Sequence, residues 1–414
     1  MNTTLKNSIP ILTSLIFTAN GLLAQDDLPP GQPPQRHRPQ PHALHTHTGS
    51  SAFGDPLPGL TATQLAEFTA GLDEFQNVET PESGLGPIFN NVSCVACHSA
   101  PAAGGSSAIV VTRFGRIEDG EFDPLENLGG SLLQQFAIDP AAQEFIPHEA
   151  NVMAQRQSTS LFGLGLIEAI PDDAIKRNAA RPAVDGVRGR ASMIVDVVSG
   201  EKRVGRLGWK AQQATLLAFA GDAYLNEMGI TNRFFPKENA PNGDAAKLAL
   251  FDKVADPEDQ INPATGKSDI DVAADFMRLL GPPPALPLSP FAAGGRNVFQ
   301  QIGCALCHTP VMVTGPNRIA ALSMKQVLLY SDLLLHDMGT LGDGIAQADA
   351  GTHEMRTAPL WGLRAKAAHL HDGRATTVHH AILAHDGEAK NSRHRYLQLS
   401  DTQRKQLLEF LNSI

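Results

Sequence analysis

Cys94-Val95-Ala96-Cys97-His98 and Cys304-Ala305-Leu306-Cys307-His308 decide how this chain is read. Both are Cys-x-x-Cys-His, and between them they hold all four cysteines of the 414 residues. In this pattern two thiols one helical turn apart can add to the vinyl groups of a haem, and the adjacent imidazole takes the iron. A lone Cys-x-x-Cys also reads as a redox disulfide or as half a zinc site. Two copies, each followed by His and with no cysteine left over, favour two covalently bound c-type haems. The expected attachment residues are Cys94, Cys97, Cys304 and Cys307, with His98 and His308 as proximal iron ligands.

The flanks of the two motifs repeat. Ile88-Phe89-Asn90-Asn91-Val92-Ser93 precedes the first and Val298-Phe299-Gln300-Gln301-Ile302-Gly303 the second. Downstream, Leu161-Phe162-Gly163-Leu164 is answered by Leu360-Trp361-Gly362-Leu363, following Arg156 and Arg356 respectively. This is the signature of two related modules in tandem. Thr61 with Gln64, and Ser400 with Gln403, form capping boxes ahead of helical apolar periodicity. Short helices and Gly/Pro loops dominate, so the expected fold is mainly α: two cytochrome c-like haem modules with loop-rich insertions.

Working outward, Lys6, the apolar run from Ile9 to Leu23 and the small Ala24 make residues 1–24 a secretory signal, with a buried N-terminal helix as the other reading. Residues 25–58 are rich in Pro, Gln and His, and read as a flexible tail in which His37, His42, His45 and His47 could alternatively bind metal. The first haem domain is expected over 59–280, a Pro-rich linker over 281–290, and the second domain over 291–414. No later stretch reaches the roughly 18 apolar residues of a membrane span. The expectation is therefore a periplasmic protein without stable membrane insertion. A net charge of −10 argues against nucleic acid and leaves room for a basic electron donor.

The second module resembles the C-terminal module of bacterial dihaem cytochrome c peroxidases. It reads Arg356-Thr357-Ala358-Pro359-Leu360, then His371-Asp372-Gly373-Arg374. More closely, the chain resembles the bacterial dihaem oxidoreductases grouped with those peroxidases and also labelled thiol oxidoreductases. The matching stretches are Gly84-Leu85-Gly86-Pro87-Ile88-Phe89-Asn90, 162–171, 205–211, Met228-Gly229-Ile230-Thr231, 330–339, 354–363 and 371–388. The thiol label finds no support, since every cysteine falls in a haem motif. The two motifs lie 210 residues apart, more than the simpler peroxidases need, and the surplus, including 180–245, is expected to reshape access to the first haem.

The resemblance implies a sixth ligand. Its axial Met would fall fourteen residues past His371, where this chain carries His385, so bis-His ligation by His308 and His385 is expected at the second haem. Met338, His379 and His380 are rivals. At the corresponding place in the first module stands Asn178, a poor haem ligand, which leaves that iron open unless His148, Met153, Met193 or Met228 takes it. Glu168, in an apolar run, is the acid–base candidate there, with a Glu paired to Arg156 or facing solvent as its other reading. His148 and Glu149 are weaker candidates. Trp209 could relay electrons between the haems, with plain core packing as the stronger reading, and Arg206 and Lys210 could neutralise propionates or simply be surface charge. The implied activity is peroxidase-like: the second haem passes electrons from a donor protein (a small cytochrome or cupredoxin) to the first, which reduces hydrogen peroxide. The alternatives are a dihaem electron carrier and an oxygenase or protein-modifying oxidase. An inter-domain calcium ion (Ca2+) is also implied, with no ligands assignable.

Overall fold

A computed structural model describes residues 52–254 and 260–414. The signal reading (1–24), most of the Pro/His-rich segment and its four histidines lie outside the described residues. The end of that segment is packed: Leu57 is buried and donates its N–H to Leu279 O, and the Phe53 ring lies 5.5 Å from Phe162.

Both capping boxes form. Thr61 and Gln64 exchange side-chain and backbone hydrogen bonds at the start of helix Ala62–Phe75, as Ser400 and Gln403 do before helix Asp401–Ser413. Each of these helices crosses a partner at a glycine. Helix Ala62–Phe75 lies on Asp269–Leu279, where a Cβ on Gly71 would come within 2.7 Å of Val272 O. Helix Pro290–Gln301 lies on Asp401–Ser413, where a Cβ on Gly295 would sit 1.9 Å from Gln406 O. Backbones this close leave no room for a side chain at the crossing. Aromatic pairs flank both contacts: Phe75 with Phe276 at 4.7 Å, and Phe299 with Phe410 at 5.5 Å. Two helix pairs of one design thus frame the two Cys-x-x-Cys-His turns.

The expectation of a mainly α fold is corrected. Helix accounts for 36% and strand for 16%, so the class is mixed α/β. The strands come from the insertions. Val110–Glu118, opened by the β-branched Val110, Val111 and Thr112, pairs antiparallel with Glu121–Asp123, Leu132–Leu133 and Val152–Gln157. Two-stranded pairs follow at Ser192–Val195 with Lys202–Gly205, Met312–Val313 with Gln326–Val327, and Leu335–Asp337 with Glu354–Arg356. The repeated hexapeptides also diverge: Ile88–Phe89 is a strand, whereas Val298 and Phe299 end a helix. Among the described residues no helix is long and apolar enough to cross a membrane.

A buried ionic knot ties the two halves of the sequence together. Arg156 Nε donates to Asp343 Oδ2 at 2.7 Å, and Lys210 Nζ approaches Asp343 Oδ1 at 2.9 Å. The Lys210 ammonium also donates to the carbonyls of Gly351 and Glu354, at 3.0 and 2.7 Å. The side chains of Lys210 and Asp343 are fully buried. Breaking such a pair leaves an uncompensated charge in the interior.

Two outcomes follow. Lys210→Met should lower unfolding free energy by about 3–5 kcal/mol in denaturant titration. Gly295→Ala should cost about 1–3 kcal/mol through overpacking, read as a lower Tm.

Candidate functional site

The two Cys-x-x-Cys-His segments fold alike. Cys94–Cys97 is a single helical turn, and the His98 N–H donates to Cys94 O at 3.1 Å. In the second, Gly303 supplies a left-handed start (φ 92°) to the turn Cys304–Leu306, and the His308 N–H donates to Cys304 O at 2.9 Å. Each imidazole is fixed by a carbonyl: His98 Nδ1 on Gly105 O at 3.1 Å, His308 Nδ1 on Tyr330 O at 3.0 Å. A carbonyl only accepts, so Nδ1 carries the proton and Nε2 keeps its lone pair, the arrangement of a metal-binding histidine. All four cysteines are free. Burial pushes the Cys94 and Cys304 thiols up to about 12 and Cys97 to about 11. That does not suit a reactive redox cysteine, which needs a lowered value.

Opposite His308 stands His385. Helix Val378–Ala384, capped by Thr377, ends at His385, whose Nδ1 donates to Ala381 O at 2.7 Å. The His308 and His385 ring centroids are 6.5 Å apart. Metal–imidazole bonds of about 2.0–2.1 Å, plus roughly 1.1 Å from each ring nitrogen to its centroid, put two imidazoles on one metal at about 6.2–6.4 Å. The observed spacing matches. Burial, and then the neighbouring His385, bring His308 down to about 4, so its ring is neutral near pH 7.

Around this pair lies a cavity of about 1500 Å³, part of it open to solvent, lined by Cys304, Cys307, Leu360, Ile382 and Leu411 among others. Its far wall is cationic. Arg356 is buried and anchored through Nε on Gly208 O, and Lys366 lies beside it with no carboxylate in ion-pair reach among the described residues. Burial, and then Arg356, lower Lys366 to about 8. His369, only 8% exposed, has a buried Nδ1 without a hydrogen-bond partner. Unpaired cations and an orphaned imidazole nitrogen are costly in a protein interior unless a ligand brings the anion. An apolar cleft with two axial imidazoles, two cysteines at its edge and cations at the far end fits a haem and its propionates.

Other predicted residues go elsewhere. Glu168 ends helix Leu164–Glu168 and does not line this cavity. Its Oε2 pairs with Arg278 Nε at 2.8 Å, and its Oε1 accepts the Leu216 N–H at 2.7 Å. Asn178 is buried against the second module, its Nδ2 donating to Asp332 O at 3.3 Å. The His148 side chain is exposed beside Glu149, and Met153 is exposed. Met228 is buried core, and Met193 sits half-buried in a strand. Met338 lines the cavity, whereas His379 bonds the Tyr396 hydroxyl at 2.6 Å. Arg206 is buried on Asp172 and Lys210 on Asp343, so protein carboxylates already hold both and neither is a surface charge. Trp209 lies in the cavity wall; its Nε1–H donates to Gln157 O at 2.8 Å, while the next residue, Ser158, donates Oγ–H to Cys97 O at 2.6 Å.

Sequence reasoning missed Lys366 and His369, whose only signal was proximity to His371. It also missed a buried cluster beside Cys307, formed by Asp332, His336 and Glu388. His336 had been passed over inside Leu335-His336-Asp337-Met338.

Comparison with known proteins places the chain. No curated protein matches it significantly. Similar solved structures include hydrazine synthase of Kuenenia stuttgartiensis, with 15% identity and TM-score 0.38 over 91% of this chain and 100% of that one. The diheme peroxidase BthA of Burkholderia thailandensis has 14% identity and TM-score 0.30, over 69% and 90%. A MauG-like protein associated with microbial copper homeostasis has 16% identity and TM-score 0.29, over 65% and 91%. Scores this low carry no argument. The family described as "di-haem oxidoreductase, putative peroxidase" matches residues 146–414, well over half of the chain. This protein belongs to the di-haem oxidoreductase family.

Proposed function

We propose that the chain is an exported, periplasmic c-type dihaem oxidoreductase with peroxidase-like activity. The observation that carries this reading is the pair of half-buried imidazoles, His308 and His385, at iron-bracketing distance over Cys304 and Cys307. In it, Cys304 and Cys307 hold one haem by thioether bonds and Cys94 and Cys97 the other, with His98 as proximal ligand. A haem between two imidazoles exchanges single electrons, whereas one with a free face can react with a small oxidant such as hydrogen peroxide.

The protein's own groups then divide the work. His308 and His385, each with Nδ1 on a carbonyl, resist rotation and keep both faces of the second site closed. Arg356 and Lys366 orient carboxylates at its far end. Trp209 stands where this wall meets the strand that hydrogen-bonds to the first cysteine turn, a position suited to relaying electrons. Glu168 is the acid–base candidate of the first module, with its carboxylate aimed by Arg278 and the Leu216 amide. Proton transfer to peroxide would pass through one of its oxygens. The donor is proposed to be a small redox protein.

Low-temperature EPR of the isolated protein tests the reading. A low-spin signal lost in His385→Ala, together with a high-spin signal that responds to peroxide, is the expected pattern. Two low-spin signals untouched by peroxide would leave an electron carrier instead. In parallel, Cys304→Ser combined with Cys307→Ser should drop the haem content, measured after denaturation, from two per chain to one.

A further inference from the structure

His336 is 2% exposed and has a carboxylate on each ring nitrogen: Asp332 Oδ2 at 3.0 Å from Nε2 and Glu388 Oε2 at 2.7 Å from Nδ1. Ionised carboxylates only accept hydrogen bonds, so satisfying both contacts requires a ring that donates twice, an imidazolium. The carboxylates are themselves held. Asp332 Oδ1 accepts the Leu334 N–H at 3.0 Å, while Glu388 accepts backbone N–H groups from Arg188 and Asp337 at 2.7 and 3.3 Å. Gly189 lies against the ring: a Cβ there would meet His336 Cε1 at 2.5 Å. The group is thus locked on all sides. It lies beside the second cysteine turn, with His336 Nδ1 3.6 Å from Cys307 Sγ and the Asp332 N–H donating to Cys307 O at 3.0 Å. Nothing in the proposed reaction uses it.

Charge fixed this close to a redox centre in a poorly screened interior acts on its two oxidation states unequally. A cation disfavours the state with more positive charge, and an anion favours it. Resting on the assignment of the second haem to Cys304, Cys307, His308 and His385, we propose that the Asp332–His336–Glu388 triad sets that haem's reduction potential. The imidazolium, directed at the Cys307 sulfur, raises the potential, and the flanking carboxylates offset part of the rise. His336 is in this role a positioning residue: it touches the attachment sulfur, not the reacting atoms.

The two charges predict opposite shifts, which a merely structural role would not produce. In spectroelectrochemical titration of the holoprotein, His336→Gln should move the second haem to lower potential. Glu388→Gln should move it to higher potential, because it removes an anion and frees Nδ1–H for the sulfur. EPR on the same samples reports whether the His308–His385 low-spin signal is intact. With that signal retained, shifts of the same sign in both variants, or none, overturn the proposal. Glu388 is partly exposed, 17% in its side chain, so its variant carries the test if His336→Gln fails to fold: an unchanged or lowered potential is then the overturning result. If the wild-type protein lacks the low-spin signal, the ligation itself fails and this inference falls with it, a result no shift in a variant can mimic.

Discussion

A histidine can present a lone pair to a metal in a fixed direction only if its other nitrogen is held, and in this protein that holding is done by the backbone. Gly105, Tyr330 and Ala381 each offer a carbonyl to an Nδ1–H. The carbonyl of Tyr330 is in turn fixed by a strained residue, since Tyr330 itself has φ 52°. That backbone is packed by the helix pair Pro290–Gln301 and Asp401–Ser413, with the Tyr330 ring edge-to-face with both Phe299 and Phe410. The aim of the second site therefore depends on the glycine-mediated helix crossing more than 10 residues away in sequence from any ligand. Stability and ligand geometry share the same contacts.

The same logic explains where the protein places its buried charge. Arg156 and Lys210 converge on Asp343 and bring strand Val152–Gln157 to the loop beyond Leu335–Asp337. Gln157, the last residue of that strand, donates its backbone N–H to His371 O at 2.6 Å and accepts from Trp209 with its carbonyl. Buried ion pairs gain little net stability over apolar packing, but their loss is costly, and they specify register. Here the register in question is that of the first module's sheet against the wall of the second module's cavity. Arg356 and Lys366 differ in kind: protein anions do not satisfy them, which marks them as waiting for a ligand.

How much of this was legible in the sequence depended on how local the determinant was. The two attachment turns and both capping boxes could be read because each is specified within a few residues, whereas His385 was reached only through the family resemblance. The sheet was not legible. Val110–Glu118 finds its main partner about forty residues on, and most of the other strands are two to four residues long, too short to show a period of two. The repeat aligned Asn178 with His385 as a poor ligand, and the Asn178 amide is engaged by Asp332 O of the second module. Arg206 and Lys210 looked like propionate partners because their carboxylates, Asp172 and Asp343, lie far off in sequence. Of the two partners of His336, Asp332 is four residues away, but Glu388, which completes the cluster, is 52 residues away.

The two attachment turns have one backbone design and different electrostatic surroundings. Glu74 and Glu79 act on Cys94, and Glu227 acts on Cys97, all three pushing those thiols further up after burial has done so. Beside Cys307, burial pushes the thiol up, the His336 imidazole pulls it down, and Asp332 and Glu388 push it up again. Carboxylates stabilise a centre that has lost electrons, and an imidazolium stabilises one that has gained them. The first turn thus has carboxylates acting on its thiols, whereas the second has a cation held between two carboxylates.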